Sequence, residues 1–443
     1  MVALNAFSTP MMLSASNVAL PAIGTHFSLT AVTLSWIPMA YLMAGIMFIL
    51  IFGRIADLYG RKRVFLLGTA GVIGSSVFTA LAVNTEMLFF GRFLQGVSAA
   101  SLYATQIAII SSVFVHNQRG QAIGLVLSSV YIGLAAGTLL GGMVTDGYGW
   151  RANFLVHIPL SLLVLYIGLT RVKDEWLGDI SEFDRVGACL FSTTVFFLCF
   201  SITGLSTQEW QPFAVLCLIS LAFFVRHIRS VQNPICDVSL FLANAFFTRC
   251  CGASFIMYTG TYTNIVLISL YLQHVRSLSA SQAGLILMIQ PITMALFSPI
   301  SGRLSDRFEA RFLTSVGMAL TACGLYLLST LTAGSHILTV CTALAMTGIG
   351  FGVFSPANTN AMMGSVMSKD YGSASGVIAT TRMLGQLGSM LLVVIAMSQI
   401  IGDRLLDTAS LPALVQSIQL SFGIAASICL LGIFLSITRT RQS

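Results

Sequence analysis

Three residues able to carry charge lie inside otherwise apolar runs: Arg92, Arg382 and His157. An arginine near the middle of a membrane helix costs about 2.5 to 3.5 kcal/mol on insertion scales, so it must face a polar cavity or a partner. Arg92 has two readings: a group that contacts cargo or couples proton movement, or an arginine reaching for the interface a few residues after Glu86. Arg382, beside Thr380, Thr381 and Gln386, has the same two. His157 sits near the end of its run, as a titrating group or as a hydrogen-bonded structural imidazole. Asp146, close to Arg151, is the second candidate for a group that gains and loses a proton. The chemistry these types permit is charge pairing and proton relay. The 15 acidic residues place no carboxylate at mid-depth of any run. P-loop, H-E-x-x-H and G-x-S-x-G patterns are absent, so nothing points to an ATPase, a hydrolase or any other enzyme. Gly348-x-Gly-x-Gly352 lies within an apolar run with no strand before it, so no nucleotide cofactor is expected, and no residue set suggests a metal.

A second constellation is Gly53-Arg-Ile-Ala-Asp-Leu-Tyr-Gly-Arg-Lys-Arg63, which places five charges between two apolar runs. Asp57 at this corner can pair with Arg61 or Arg63, or with the positive amino end of a neighbouring helix. Such a contact would hold two inner faces together in one conformation and release them in another, a conformational latch. The competing reading is an orientation signal. Gly53 and Gly60 allow a tight turn and close helix approach.

The elements that must position these residues follow from composition. The chain has 443 residues, 56% of them hydrophobic and only 8% charged, which places it among polytopic membrane proteins. The net charge of +7 does not imply nucleic acid, because the basic residues fall in short loops between apolar runs. The nine cysteines lie mostly within apolar runs, with Cys236 in a loop, and form no C-x-x-C pair; they read as small core residues. No basic region precedes Val2, so the first run is expected to remain as a span.

A spanning helix needs about 20 mainly apolar residues. On that criterion six candidates fall within 1-170, two within 171-245 and six within 246-443, giving fourteen spans in an all-α integral membrane fold. Sorting the 22 Lys and Arg residues between the two sides puts 17 on one side, with both termini, and three (Arg151, Arg276, Arg404) on the other. The positive-inside rule makes the first side cytoplasmic. The opening constellation has a counterpart at Gly302-Arg-Leu-Ser-Asp306, with Gly and Asp each displaced by 249 residues. Parallel repeats of this kind suit a transporter whose site lies between two halves near the midplane. Candidate cavity polars are Asn17, Tyr103, Gln106, Tyr131, Tyr258, Tyr262, Asn264, Gln290, Asn358 and Asn360, interleaved with Met11, Met12, Met39, Met43, Phe351 and Phe354. Aromatic and Met surfaces with few charges suit amphipathic ligands, and two basic residues at depth argue against a strongly anionic one. Ordinary helix packing is the competing reading for each.

These residues resemble the major facilitator superfamily, whose loop between spans two and three reads G-x-L-A-D-R-x-G-R-K. Gly53, Ile55, Ala56, Asp57, Gly60, Arg61 and Lys62 fit it, with Leu58 in place of the basic residue. Asn17-Val-Ala-Leu-Pro21, Arg92-Phe-Leu-Gln-Gly96, Trp150-Arg-Ala-Asn-Phe154 and the glycines Gly133, Gly137, Gly141 and Gly142 are similar to further motifs of its fourteen-span drug:proton antiporter branch. The resemblance covers nearly the whole chain. It implies two six-helix bundles, 1-170 and 246-443, joined by 171-245 with two extra helices. It also implies a hinge and seal at the span-five glycines, although Thr138 stands where the pattern has proline. The implied function is alternating-access export of amphipathic drugs or toxic small molecules across a bacterial inner membrane, with protons as the coupling ion. Met12 stands where the branch has an acid in span one. A facilitator, or a vitamin or metabolite carrier without proton coupling, is the alternative on the same fold.

Overall fold

The computed structural model describes residues 1–113, 116–173, 175, 183–203, 210–231, 235, 244–305, 308–366, 371–402 and 411–437. The described elements are helical. The first part of the chain forms α1 (Val2–Val18), α2 (Leu20–Phe27), α3 (Ala31–Tyr59), α4 (Arg61–Ala80), α5 (Thr85–Val113), α6 (His116–Tyr148) and α7 (Ile158–Thr170). Next come α8 (Arg185–Thr203) and α9 (Trp210–Ser230). The last part forms α10 (Ala245–Thr261), α11 (Asn264–Leu270), α12 (Ala280–Leu287), α13 (Ile289–Leu304), α14 (Ala310–Ser329), α15 (Ile337–Gly364), α16 (Tyr371–Ile400) and α17 (Leu411–Ile437).

Among the described residues, 13 helical segments are long and apolar enough to cross a membrane. The sequence count of fourteen differs at the first span, which is divided into α1, of 17 residues, and α2, of 8. Pro21 has no N–H to offer the Asn17 carbonyl, and the helix breaks there. A second break separates α10 from α11 at Tyr262–Thr263, so the first helices of the early and late parts of the chain are both interrupted.

Large apolar side chains such as Leu67, Leu81, Phe90, Leu218 and Phe434 are exposed, while Asn17, Arg92, Gln95, His157, Asn264 and Asn358 are buried. That is the reverse of a water-soluble fold and fits a protein whose outer solvent is lipid. In the first part α1 packs on α6, and α5 on α3 and α4; in the last part α15 packs on α13 and α14, and α10 on α16 and α17. The two sets meet where α3 lies on α16, α6 on α12 and α13, and α1 on α11. The spanning windows of α8 and α9 are only 22% and 17% buried, against 72% for α3, so this pair lies at the periphery, with α8 touching α3 and α16. The end of the molecule bearing the α3–α4 turn is termed the basic face below, and the end bearing the α4–α5 turn the opposite face.

Candidate functional site

The interior charge at the centre is Arg92, whose side chain is fully enclosed. Its Nη1 donates to Gln95 Oε1 at 2.7 Å and its Nε to the Ile37 carbonyl at 3.3 Å. The guanidinium lies 4.8 Å from the centroid of the Tyr41 ring and 6.0 Å from that of Phe154, within the range of cation–π attraction. Its Nη2 has no hydrogen-bond partner. The i, i+3 spacing of Arg92 and Gln95 on α5 puts both on one helix face.

Arginine only donates, so it fixes the Gln95 amide with oxygen toward Arg92 and NH2 away from it. That NH2 donates to Ser76 Oγ at 2.8 Å and lies 3.7 Å from Met12 Sδ. Ser76 Oγ in turn lies 3.2 Å from His157 Nε2. Having accepted from Gln95, Ser76 keeps its own proton for the imidazole; in that arrangement His157 carries its proton on Nδ1, which has no partner. A continuous polar chain thus joins Arg92 to His157 through two residues, Gln95 and Ser76, and passes beside Met12. His157 immediately precedes α7, where Ser8 Oγ contacts both its carbonyl, at 3.4 Å, and Ser161 Oγ, at 3.2 Å.

Around this chain the two sets of helices converge. The Tyr41 and Tyr103 hydroxyls are 3.4 Å apart. Tyr262, the residue that ends α10 at the break before α11, brings a buried hydroxyl close to Asn17 at the α1–α2 break. Asn17 Oδ1, both polar atoms of the Asn264 side chain and Gln290 Oε1 are buried without partners. Discontinuous helices at corresponding places in two repeats, with polar side chains beside the breaks, are a structural pointer to a cargo site.

A second cluster lies on the basic side of the first. Arg382 Nη2 donates to Thr359 Oγ1 at 2.7 Å, and its guanidinium is 5.8 Å from the Tyr258 centroid. Tyr258 meets Phe351 edge-on at 5.1 Å, Tyr131 meets Phe351 at 6.4 Å, and the Tyr131 hydroxyl donates to Ser355 Oγ at 3.4 Å. Met257, Met294 and Phe354 complete the apolar wall. Of the remaining cavity candidates, Gln106 is buried on α5; Asn358 is tied to the Cys250 carbonyl and Ser254 within the last helices; Asn360 is exposed and donates to Ser305 Oγ.

Toward the opposite face the two sets are fastened by backbone polar groups. The Val18 carbonyl, at the α1–α2 break, accepts from Gln273 Nε2 at 3.0 Å, and Gln273 sits in the π-helical turn Tyr271–Val275. Asp146, at the end of α6, accepts from the N–H groups of Ala280 and Ser281 at 3.1 and 2.8 Å. It therefore turns to the amino end of α12 rather than to Arg151, whose guanidinium stacks on Trp150 and donates to the Ala82 carbonyl. The span-five glycines divide into two roles: a side-chain carbon at Gly133, Gly137 or Gly141 would meet α1 at Phe7, Met11 or Ala15, whereas one at Gly142 would meet Ala280 and Ser281 of α12.

On the basic face Asp57 pairs with Arg61 within the same corner, at 2.8 Å. The amino end of α4 is taken by Glu175, which accepts from the Lys62 N–H at 2.8 Å and lies 3.6 Å from Arg63 Nε. Gly60 has φ +110°, a conformation that only glycine adopts freely, so the turn requires it. Gly53 faces only Ala104 and Gly302 faces open space; Asp306 lies outside the described residues. Tyr41, Ser76 and Glu175 carry no signal in residue order, because their contacts come from distant parts of the chain, whereas Gln95 is visible as the fourth residue of Arg92-Phe-Leu-Gln95.

The chain matches the family model described as Major Facilitator Superfamily over residues 2–243 and 250–443. It is 27% identical to the riboflavin transporter RibZ of Clostridioides difficile, covering 100% of this chain and 97% of that protein. It is 30% identical to the multidrug resistance protein Stp of Mycobacterium tuberculosis, covering 85% of this chain and 72% of the relative. It is 28% identical to the multidrug efflux pump LfrA of Mycolicibacterium smegmatis, covering 87% and 78%. A multi-pass helical membrane protein with an enclosed polar centre, it belongs to the Major Facilitator Superfamily and is a small-molecule transporter, not an enzyme.

Proposed function

We propose that this transporter exports amphipathic small molecules across a bacterial inner membrane by alternating access, with proton entry as the driving reaction. The basic face is cytoplasmic with both termini, α1 and α2 together make a fourteenth crossing, and residues 1-170 and 246-443 are the moving bundles on either side of the 171-245 linker. The observation that carries this reading is the aromatic and Met-rich interface between the helix sets, where Tyr131 and Tyr258 reach Phe351 from different sets. Surfaces of this kind take several ligand shapes. The fastenings at Val18, Gly142 and Asp146 fit a conformation closed toward the opposite face. The drug-exporting relatives Stp and LfrA support efflux. Among intramembrane groups, His157 has both a titrating ring and a polar chain leading to Arg92, which suits it to proton coupling. Asp57 acts as a latch whose partner across the basic face engages in the alternate conformation. Asp57→Asn then shifts spin-label distances across that face; an unchanged distribution rules the latch out.

RibZ and the presence of Met12 in place of an acid favour a second reading, a vitamin or metabolite carrier without proton coupling. Flux in proteoliposomes with and without an imposed pH gradient separates the two. Export requires flux that rises with the gradient and loses that response in His157→Ala; flux indifferent to the gradient leaves the uncoupled carrier.

A further inference from the structure

Among the described residues, Arg92 and Arg382 are interior cations without an interior anion. The ion pairs among the described residues are Asp57 with Arg61, Glu175 with Arg63, Asp184 with His227 and Glu309 with Arg311, all at or near the basic face. Neither central arginine is among them, and the sequence places no carboxylate at the depth of either. A charge removed from water without a partner of opposite sign is costly, and loosely matched hydrogen bonds recover only part of that cost. Arg92 is the sharper case: it is fully enclosed, two of its nitrogens are satisfied by neutral oxygens, and Nη2 has no acceptor. Arg382 is also short of acceptors, since its Nε has none.

The surroundings of Arg92 show what kind of group would fit. Tyr41 lies under the guanidinium, its hydroxyl 3.4 Å from that of Tyr103, and the Phe154 ring stands 6.0 Å away. These supply hydrogen-bond donors and aromatic walls, and no second acid. Met12, whose sulfur lies 3.7 Å from both Gln95 Nε2 and Ser76 Oγ, brings no charge to the polar chain.

We infer that the cargo is an amphipathic organic anion whose single acidic group pairs with Arg92, its apolar body lying against the tyrosine and methionine surfaces. The inference rests on the transport reading and deepens it by naming the charge of the cargo. One acidic group agrees with the small number of basic residues at depth; a polyanion would not be matched. The protein holds the positive half of an ion pair, and loading supplies the negative half. With Nε and Nη1 held by Ile37 and Gln95, Nη2 is the donor left for the acidic group, and the planar guanidinium fixes the direction from which that group is met.

The test uses the full chain in nanodiscs, with empty nanodiscs subtracted, and titration calorimetry of three matched probes: 1-pyrenebutyrate, its methyl ester and a pyrenebutyl trimethylammonium salt. The carboxylate is expected to bind at least about tenfold tighter than the other two. Arg92→Gln should abolish that preference and Arg92→Lys should keep part of it. Met12→Glu, which places a carboxylate beside Gln95, should also abolish the preference, and an unchanged thermal unfolding profile of each variant keeps loss of folding from being mistaken for loss of charge pairing. Acetate should not compete at equal concentration. The inference is overturned if the ester or the ammonium probe binds as well as the carboxylate, if no probe binds, if acetate displaces the carboxylate, or if the preference survives Arg92→Gln or Met12→Glu. Carboxylate preference without flux in proteoliposomes would instead remove the transport reading, and flux of the ammonium probe alone would remove the anion.

Discussion

The Asp146 carboxylate receives the backbone N–H of Ser281 at 2.8 Å, so an acid on α6 closes the amino end of α12 in the other helix set. The contact joins a negative side chain to the positive end of a helix and lies at the opposite face, where the halves must part for cargo to leave. Because Asp146 is exposed, its contribution is about 1 kcal/mol or less and is weakened by salt. Asp146→Ala should increase the population open at that face by a few-fold, read as a longer distance between spin labels at Asn84 and Gly334. An unchanged distance distribution at low salt would show that the contact does not hold the face shut.

The division of the span-five glycines makes a paired prediction. Gly137→Ala places a carbon against the Met11 carbonyl and Ser14 Oγ inside the first set of helices, and overpacking of this kind costs about 1 to 3 kcal/mol. Its apparent melting temperature should fall by several degrees. Gly142→Ala meets the Ala280 carbonyl only when the opposite face is closed, so it should shift the same spin-label distances with a smaller change in melting temperature. Equal thermal losses in the two variants would contradict this separation.

Ser76 is the middle link between Gln95 and His157. Ser76→Ala leaves the Gln95 NH2 with only the Met12 sulfur and the imidazole Nε2 unpartnered, a loss of about 1 to 3 kcal/mol for each group deprived of its bond. Removing His157 as well should then cost less than the two single losses added, by at least about 0.5 kcal/mol in a double-mutant cycle on unfolding. Strict additivity would mean that the chain is not energetically connected.

Outside the membrane, Asp184 is nearly enclosed and accepts from the N–H groups of Gly187 and Ile235 and contacts His227 Nε2 at 2.7 Å. Burial acts to raise its pKa, and the Gly187 N–H, His227 and Ile235 N–H contacts outweigh it, so the pKa is lowered. A lowered folded-state pKa gives stability that is fully present above the ordinary aspartate value of about 3.9 and is lost as pH falls through the folded value. Hydrogen exchange at Gly187 and Ile235 should therefore be slow at pH 6 and accelerate below about pH 4 relative to amides deep in α8. Asp184→Asn should show the faster exchange at both pH values.

Much of this was readable from residue order, and the limits are specific. Gly60 was marked by its place between Asp57 and Arg61, and its φ of +110° supplies the backbone reason. Asp57, in the last turn of α3, and Arg61, the first residue of α4, are four residues apart across the Gly60 turn, so their pairing is local and foreseeable. Glu175 was not foreseeable as the group on the amino end of α4, because it returns from the linker more than a hundred residues later. The glycines of α6 were visible as a packing face, but i, i+4 spacing alone does not say which glycine turns to which neighbour.

The sequence by itself determined the membrane class, nearly all the spans, the repeat, and which residues carry charge at depth, because hydropathy and motif spacing act over one helix and its turns. The tertiary structure alone decided that Arg92 reaches His157 through Gln95 and Ser76, that Met12 fills the place beside them, and that Tyr262 joins the cluster from the other helix set. Those relations depend on the rotation and depth at which separate helices pack, and close approach of small residues such as Gly137 and Gly142 sets both.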